Sequence, residues 1–186
     1  MNRLWQPVLV GTLLPLCWLG MMAVHELGHV TGLWVTGGTV AKVVLHPLTI
    51  SRTDPGLDPR PLLVVWAGPF VGALLPLAAA SIVGLLHVPG SFLLRFFAGF
   101  CLIANGCYIG VGAFDPVGDA RELLRLGAAE WQLALFGLVC VPVGLLIWHG
   151  QEKHFRRENV TPAAAMSVAA VLVVVLATEL ILSPDK

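Results

Sequence analysis

The run Val8-Leu9-Val10-Gly11-Thr12-Leu13-Leu14-Pro15-Leu16-Cys17-Trp18-Leu19-Gly20-Met21-Met22-Ala23-Val24-His25-Glu26-Leu27-Gly28-His29-Val30-Thr31-Gly32-Leu33-Trp34-Val35 carries one formal charge, Glu26. A helix crosses a bilayer with about 20 mostly apolar residues, so this run is long enough to span. Arg3 ahead of it and the small Ala23 within it imitate a secretory signal. The apolar pattern nevertheless continues to Val35, too far for a cleavable apolar core. A first span is therefore expected near 8–35. Lipid offers no partner to backbone polar groups, so such a span must be a helix.

The same test extends outward. No Asp, Glu, Lys or Arg occurs in Pro61–Leu94, Phe96–Phe114, Trp131–Gln151 or Asn159–Thr178. These runs place further spans near 62–87, 92–112, 130–149 and 162–182. The expectation is an all-α membrane protein of about five transmembrane helices, forming one polytopic domain over 1–186. Composition agrees: of 186 residues 57% are hydrophobic and 12% charged, with mean hydropathy +0.85, whereas soluble domains carry about 25% charged residues. The net charge is zero, which gives no electrostatic basis for a nucleic-acid partner. Cys17, Cys101, Cys107 and Cys140 all stand in apolar stretches and read as small buried hydrophobes.

The joints between spans differ in character. Gly37-Gly38 ends the first, as glycine often does past a helix C-terminus. Thr39-Val40-Ala41-Lys42-Val43-Val44-Leu45 is rich in β-branched residues and reads as a short strand. His46–Ser51 is either its hairpin partner or an interfacial flap. Asp54-Pro55-Gly56-Leu57-Asp58-Pro59 and Val88-Pro89-Gly90 have turn chemistry. Gln151–Asn159 is a polar loop.

Within the first span lies His25-Glu26-Leu27-Gly28-His29, the pattern H-E-x-x-H. Positions four apart on a helix differ by about 40°, so the two imidazoles share a face. That face offers two nitrogen ligands to one Zn²⁺, with Glu26 beside them as general base. The metal would lower the pKa of its water to about 7. A charge at the bilayer centre costs about 2.5–3.5 kcal/mol on insertion scales, so ionisable groups there usually serve a cavity or partner. A structural polar cluster binding another helix is the plainer alternative. Gly28 and Gly32 permit close helix approach and read as packing.

With its surroundings this motif resembles the site-2 protease family of intramembrane zinc metalloproteases. The carrying residues are His25–Val30, then Trp34-Val35-Thr36-Gly37-Gly38 and the strand-like Val40–Leu45. In that family an H-E-x-G-H helix is followed by a Gly-Gly turn and a membrane-associated strand. Ala67-Gly68-Pro69 looks like the family's A-G-P element. Gly118-Asp119-Ala120-Arg121-Glu122-Leu123-Leu124 looks like its D-G-G-R-x-L segment, which implies Asp119 as the third zinc ligand. The resemblance covers roughly residues 9–126, leaving extra helices at about 130–182. Phe114-Asp115-Pro116-Val117-Gly118-Asp119-Ala120 departs from the usual pattern by lacking its Asn and one Pro, with Ala120 in place of a Gly. There is no PDZ insertion.

Asp115 and Asp119 both stand just beyond the third span. Asp115 precedes Pro116, which favours a turn role. Asp119 precedes good helix formers and reads as an N-cap or first-turn residue. With four spans before the 150s, segments 36–61 and 113–129 fall on one side, so His25, His29 and Asp119 are able to meet. Lys42, Arg52, Arg60, Arg121, Arg125 and Lys186 lie on that side, and Arg3, Arg95, Lys153, Arg156 and Arg157 on the other. This count, with the resemblance, leans toward a site facing the cytosol of a bacterial-type cell membrane.

Asn105 either orients a substrate backbone or hydrogen-bonds across helices. Val43 and Val44 are candidate substrate-binding residues, through strand addition by a transmembrane protein substrate. Trp5, Trp34, Trp131 and Trp148 fit an aromatic belt. His149 and His154 read as solvated, and Glu179 as interfacial. The resemblance implies intramembrane proteolysis with one Zn²⁺. The competing readings are a non-proteolytic metal-binding membrane protein of the same architecture and a small transporter.

Overall fold

The computed structural model describes residues 4–156 and 159–182. Arg3, Arg157 and Lys186 of the charge count lie outside them, as does Glu158 of the polar loop. Among the described residues, five helices are long and apolar enough to cross a membrane: α1 (Trp5–Thr36), α2 (Pro61–Leu85), α3 (Ser91–Val111), α5 (Glu130–Trp148) and α6 (Pro162–Leu182). Between α1 and α2 stands a two-stranded hairpin of β1 (Val40–Val44) and β2 (Arg52–Pro55). Between α3 and α5 stands the short helix α4 (Gly118–Arg125). This is a multi-pass all-α membrane architecture, and its span ends fall within a few residues of those read from the charge-free runs.

At about 1.5 Å per residue, α1 is roughly 48 Å long and exceeds the hydrocarbon thickness of about 30 Å. It stops at Gly37, which adopts φ 79°. The Gly37 N–H donates to the Trp34 carbonyl (3.3 Å) and the Gly38 N–H to that of Leu33 (2.7 Å). A residue with a Cβ is disfavoured in that left-handed position. The chain then turns directly into β1.

The hairpin is antiparallel, with Lys42 opposite Asp54, Val43 opposite Thr53 and Val44 opposite Arg52. The partner of β1 is therefore Arg52–Pro55. Residues 46–51 form the connection, where the Thr49 N–H donates to the His46 carbonyl (3.1 Å). Asp54-Pro55, expected as a turn, closes the strand instead. The turn proper begins at Gly56, whose N–H bonds the Thr39 carbonyl at 2.9 Å.

Small residues set the helix spacing. A Cβ on Gly32 of α1 would stand 2.9 Å from Ala67 Cβ and 3.1 Å from Val64 Cα of α2, so the two backbones are in near contact there. α2 packs on both α1 and α3, while α1 and α3 touch only over a short stretch. α5 lies along α3. α6 lies along α1, with Ala165 and Val168 near Leu9, Leu13 and Cys17, and Leu172, Val175 and Leu176 near Leu19, Met21 and Met22. The two helices run parallel, as the span count requires.

Two surface expectations, for His154 and Glu179, need correction, and Trp148 at the end of α5 makes a contact that was not foreseen. The Trp148 indole stacks on Phe96 and donates to its carbonyl (2.9 Å), tying α5 to α3. The His154 ring stacks on Phe92 with centroids 4.9 Å apart, so it is not simply solvated. Glu179 is buried, on the helix face that also carries Val175 and Leu176.

Candidate metal centre and cleft

α1 presents His25 and His29 one turn apart, both buried, with ring centroids 4.9 Å apart and planes at 73°. The third member arrives from α4. Val117 is extended and Gly118 has φ 50°, which turns the chain so that α4 starts against α3. The Asp119 N–H donates to the Tyr108 hydroxyl of α3 (2.8 Å). Its carboxylate then reaches back: Asp119 Oδ2 is 2.7 Å from His25 Nε2 and 3.3 Å from His29 Nε2. The two Nε2 atoms are 3.1 Å apart. Asp115 is exposed and stays outside this cluster.

The opposite ring nitrogens decide what the cluster can hold. His29 Nδ1 lies 2.9 Å from the Val64 carbonyl, an acceptor only, so Nδ1 carries the proton and donates. His25 Nδ1 lies 2.7 Å from Asn105 Oδ1, while Asn105 Nδ2 donates to the Cys101 carbonyl (2.9 Å). The Asn105 oxygen therefore accepts from His25 Nδ1–H. Both neutral imidazoles are left with bare Nε2 lone pairs, turned toward each other and toward a carboxylate oxygen. Three lone pairs at 2.7–3.3 Å repel unless positive charge stands between them. A proton on an Nε2 supplies part of it. In that protonated state burial pushes the Asp119 carboxyl up, but the Nε2–H donated to it outweighs burial and holds it well below the ordinary carboxylate range.

A metal ion answers the same need more completely. Ligands at about 2.0–2.2 Å from a tetrahedral zinc stand about 3.3–3.5 Å apart, slightly wider than the distances found. Two imidazoles tautomerised by backbone and amide acceptors, plus one carboxylate, make a donor set that could hold a metal ion.

Glu26 is buried at 3% exposure, and both its oxygens are engaged. The Ser51 hydroxyl donates to Oε1 (2.7 Å) and the Thr53 hydroxyl to Oε2 (2.7 Å). These two partners come from the connection and β2, and sequence reading missed them. The available signal was their spacing, since residues two apart on an extended chain share a face. Tyr108 and the Val64 carbonyl were missed as well, and a backbone acceptor leaves no mark in a sequence.

The Ala67-Gly68-Pro69 element also has a physical role. A Cβ on Gly68 would collide with the His29 ring and reach within 2.9 Å of His25 Nε2. Only glycine lets α2 pass this close to the imidazoles.

The cluster opens into a cleft of about 1020 Å³. Trp18, Met21 and Met22 of α1 and Ala104 and Cys107 of α3 form its apolar wall, and residues 47–53 border it from the hairpin side. Of the two roles open to Asn105 the cross-helix hydrogen bond is the one found, whereas Val43 and Val44 lie elsewhere than expected. Asn105 is 1% exposed and makes the cross-helix bond to His25. Val43 and Val44 do not border the cleft; Val44 is buried and both are paired with β2. Cys107 is exposed, unlike the other three cysteines, because α3 fronts the cleft at that position and no helix covers it. The chain matches no protein-family model, no curated protein and no solved structure.

Proposed function

We propose that this chain is a membrane-embedded zinc endopeptidase of the site-2 protease type, hydrolysing peptide bonds in or near transmembrane segments of membrane proteins. The observation that carries the reading is the convergence of two bare Nε2 atoms and one carboxylate oxygen beside a buried glutamate. One zinc held by His25, His29 and Asp119 supplies a Lewis acid and a water with a pKa near 7.

The chain's own residues do the rest. Val64 and Asn105 hold the imidazoles by their Nδ1–H groups, so both Nε2 atoms stay available. Tyr108 holds the backbone of Asp119. Glu26 takes the proton from the attacking water and returns it to the leaving amine. The apolar cleft between α1 and α3 receives the substrate segment, which unwinds so that its carbonyl reaches the site. Residues 47–53 stand nearer to that segment than β1 does, so strand pairing with substrate is assigned to the β2 side of the hairpin. The site end of the bundle would face the cytosol of a bacterial-type cell membrane, a reading supported by the family resemblance together with a slight excess of Lys and Arg on that side.

The test combines metal content with a membrane proteome. Purified protein should carry one zinc per chain, and His25→Ala should carry none. Membranes holding the active chain should lose intact substrates that persist with Glu26→Gln. Stoichiometric zinc with no cleaved membrane protein would move the assignment to a non-proteolytic metal-binding protein. Absence of zinc would favour the transporter reading.

A further inference from the structure

We propose that Ser51 and Thr53 are positioning residues for Glu26, and that through them the hairpin and the general base work as one unit. The inference rests on the reading of Glu26 as the base. Each carboxylate oxygen of Glu26 accepts one hydroxyl at 2.7 Å, near the short range typical of an O–H bond to a charged oxygen. The alternation of the chain accounts for the pair. Ser51 and Thr53 turn toward α1, while the intervening Arg52 side chain is 59% exposed and pairs outward with Asp54. Thr53 is also locked in register opposite Val43, so its hydroxyl is held at a fixed height over the helix.

The rest of the hairpin has little else to keep it there. Its base is fastened by the Thr39 N–H to the Leu57 carbonyl (2.8 Å) and the Gly56 N–H to the Thr39 carbonyl (2.9 Å). Its far end is exposed: Leu48 is 81% exposed and Ile50 87%. Between this base and the exposed tip, the bonds to Glu26 are, among the described residues, the polar contacts joining residues 46–53 to the helix of His25 and His29. Docking of the hairpin therefore orients the carboxylate, and release of the hairpin leaves Glu26 with unpaired oxygens and a free rotamer. A segment that displaces residues 47–53 from the cleft also releases the base.

The experiment is amide hydrogen exchange of residues 46–55 in the full-length chain in detergent micelles, which needs no substrate. Thr53→Val and Ser51→Ala should each raise exchange across the segment about tenfold, the weight of a hydrogen bond to a charged acceptor. Thr53→Ser, which keeps the hydroxyl, should restore wild-type exchange. Glu26→Ala should loosen the same segment, and adding it to Ser51→Ala/Thr53→Val should produce no further increase, because the contact is already lost. Exchange unchanged in Thr53→Val and Ser51→Ala, failure of Thr53→Ser to restore it, or full additivity with Glu26→Ala would each overturn the proposal. Exchange coupling and proteolysis are read separately. Cleavage by Glu26→Gln would sink the peptidase reading without moving the exchange result.

Discussion

The Asn105 side-chain oxygen accepts a 2.7 Å hydrogen bond from His25 Nδ1–H, joining α3 to the turn of α1 that carries His25 and His29. Both residues are buried, Asn105 to 1% exposure. The bond selects the tautomer in which His25 Nε2 carries a lone pair. It also explains a polar residue in the middle of an otherwise apolar span. Gly72 of α2 makes room for it, since a Cβ there would stand 2.8 Å from the Asn105 oxygen.

Asn105→Leu should therefore weaken metal binding without touching a ligand. Loss of a residue that orients a ligating histidine typically costs 10–100-fold in metal affinity. Competition with a zinc chelator dye measures this directly. Affinity equal to wild type in a folded Asn105→Leu protein would remove Asn105 from the centre and leave it a packing residue.

Gly68 and Gly84 make a matched pair on one helix. A methyl at Gly68 would strike the His29 ring, whereas nothing lies within 4 Å of a Cβ at Gly84. Gly68→Ala should lose zinc and thermal stability together. Gly84→Ala should be neutral or stabilising by up to about 1 kcal/mol, as expected for glycine replaced by alanine in a helical conformation, here the last turn of α2. Equal melting temperatures for the two variants would mean that α2 does not approach the histidines as closely as described.

Asp119→Ala and Asp115→Ala should separate cleanly. Asp119 Oδ2 is 2.7 Å from His25 Nε2, and Asp115 is exposed. Zinc stoichiometry and cleavage should be lost in the first and retained in the second. The reverse result would reassign the third ligand. Zinc content should survive Glu26→Gln, since that substitution leaves all three ligands in place.

Much of this was legible because charge is costly in lipid. The gaps between Asp, Glu, Lys and Arg located five spans, and their parity put residues 36–61 and 113–129 on one side. That parity allowed Asp119 to meet His25 and His29, while the choice of Asp119 came from the family resemblance and its place at the start of a helix. The hairpin was harder to read. β1 announced itself through β-branched residues, but β2 is Arg-Thr-Asp-Pro, a run whose local composition favours a turn. It is a strand because Val43 and Val44 offer it an edge and Glu26 holds its Thr53 hydroxyl, and both are tertiary causes. The contacts of Val43, Val44 and Asn105 depend on which neighbour each element meets, which periodicity within one element does not encode.

Cys107 gives the cleft a chemical reporter. Cys17, Cys101 and Cys140 are buried, and burial pushes the thiols of Cys17 and Cys101 out of reach of a water-soluble reagent. Cys107 is exposed on the wall of the cleft that holds His25 and Asp119. A polar maleimide should therefore modify one thiol per chain in the folded protein, and Cys107→Ser should abolish that labelling. A bulky adduct on Cys107 should block cleavage of a membrane segment while leaving zinc bound, because the thiol is not among the ligands. Mass spectrometry of the labelled peptides, with zinc measured on the same sample, decides it. Labelling spread over the four cysteines would mean that the helices part more readily than the packing around Cys17 and Cys101 implies. Full cleavage by the Cys107-labelled protein would move the substrate path away from the gap between α1 and α3.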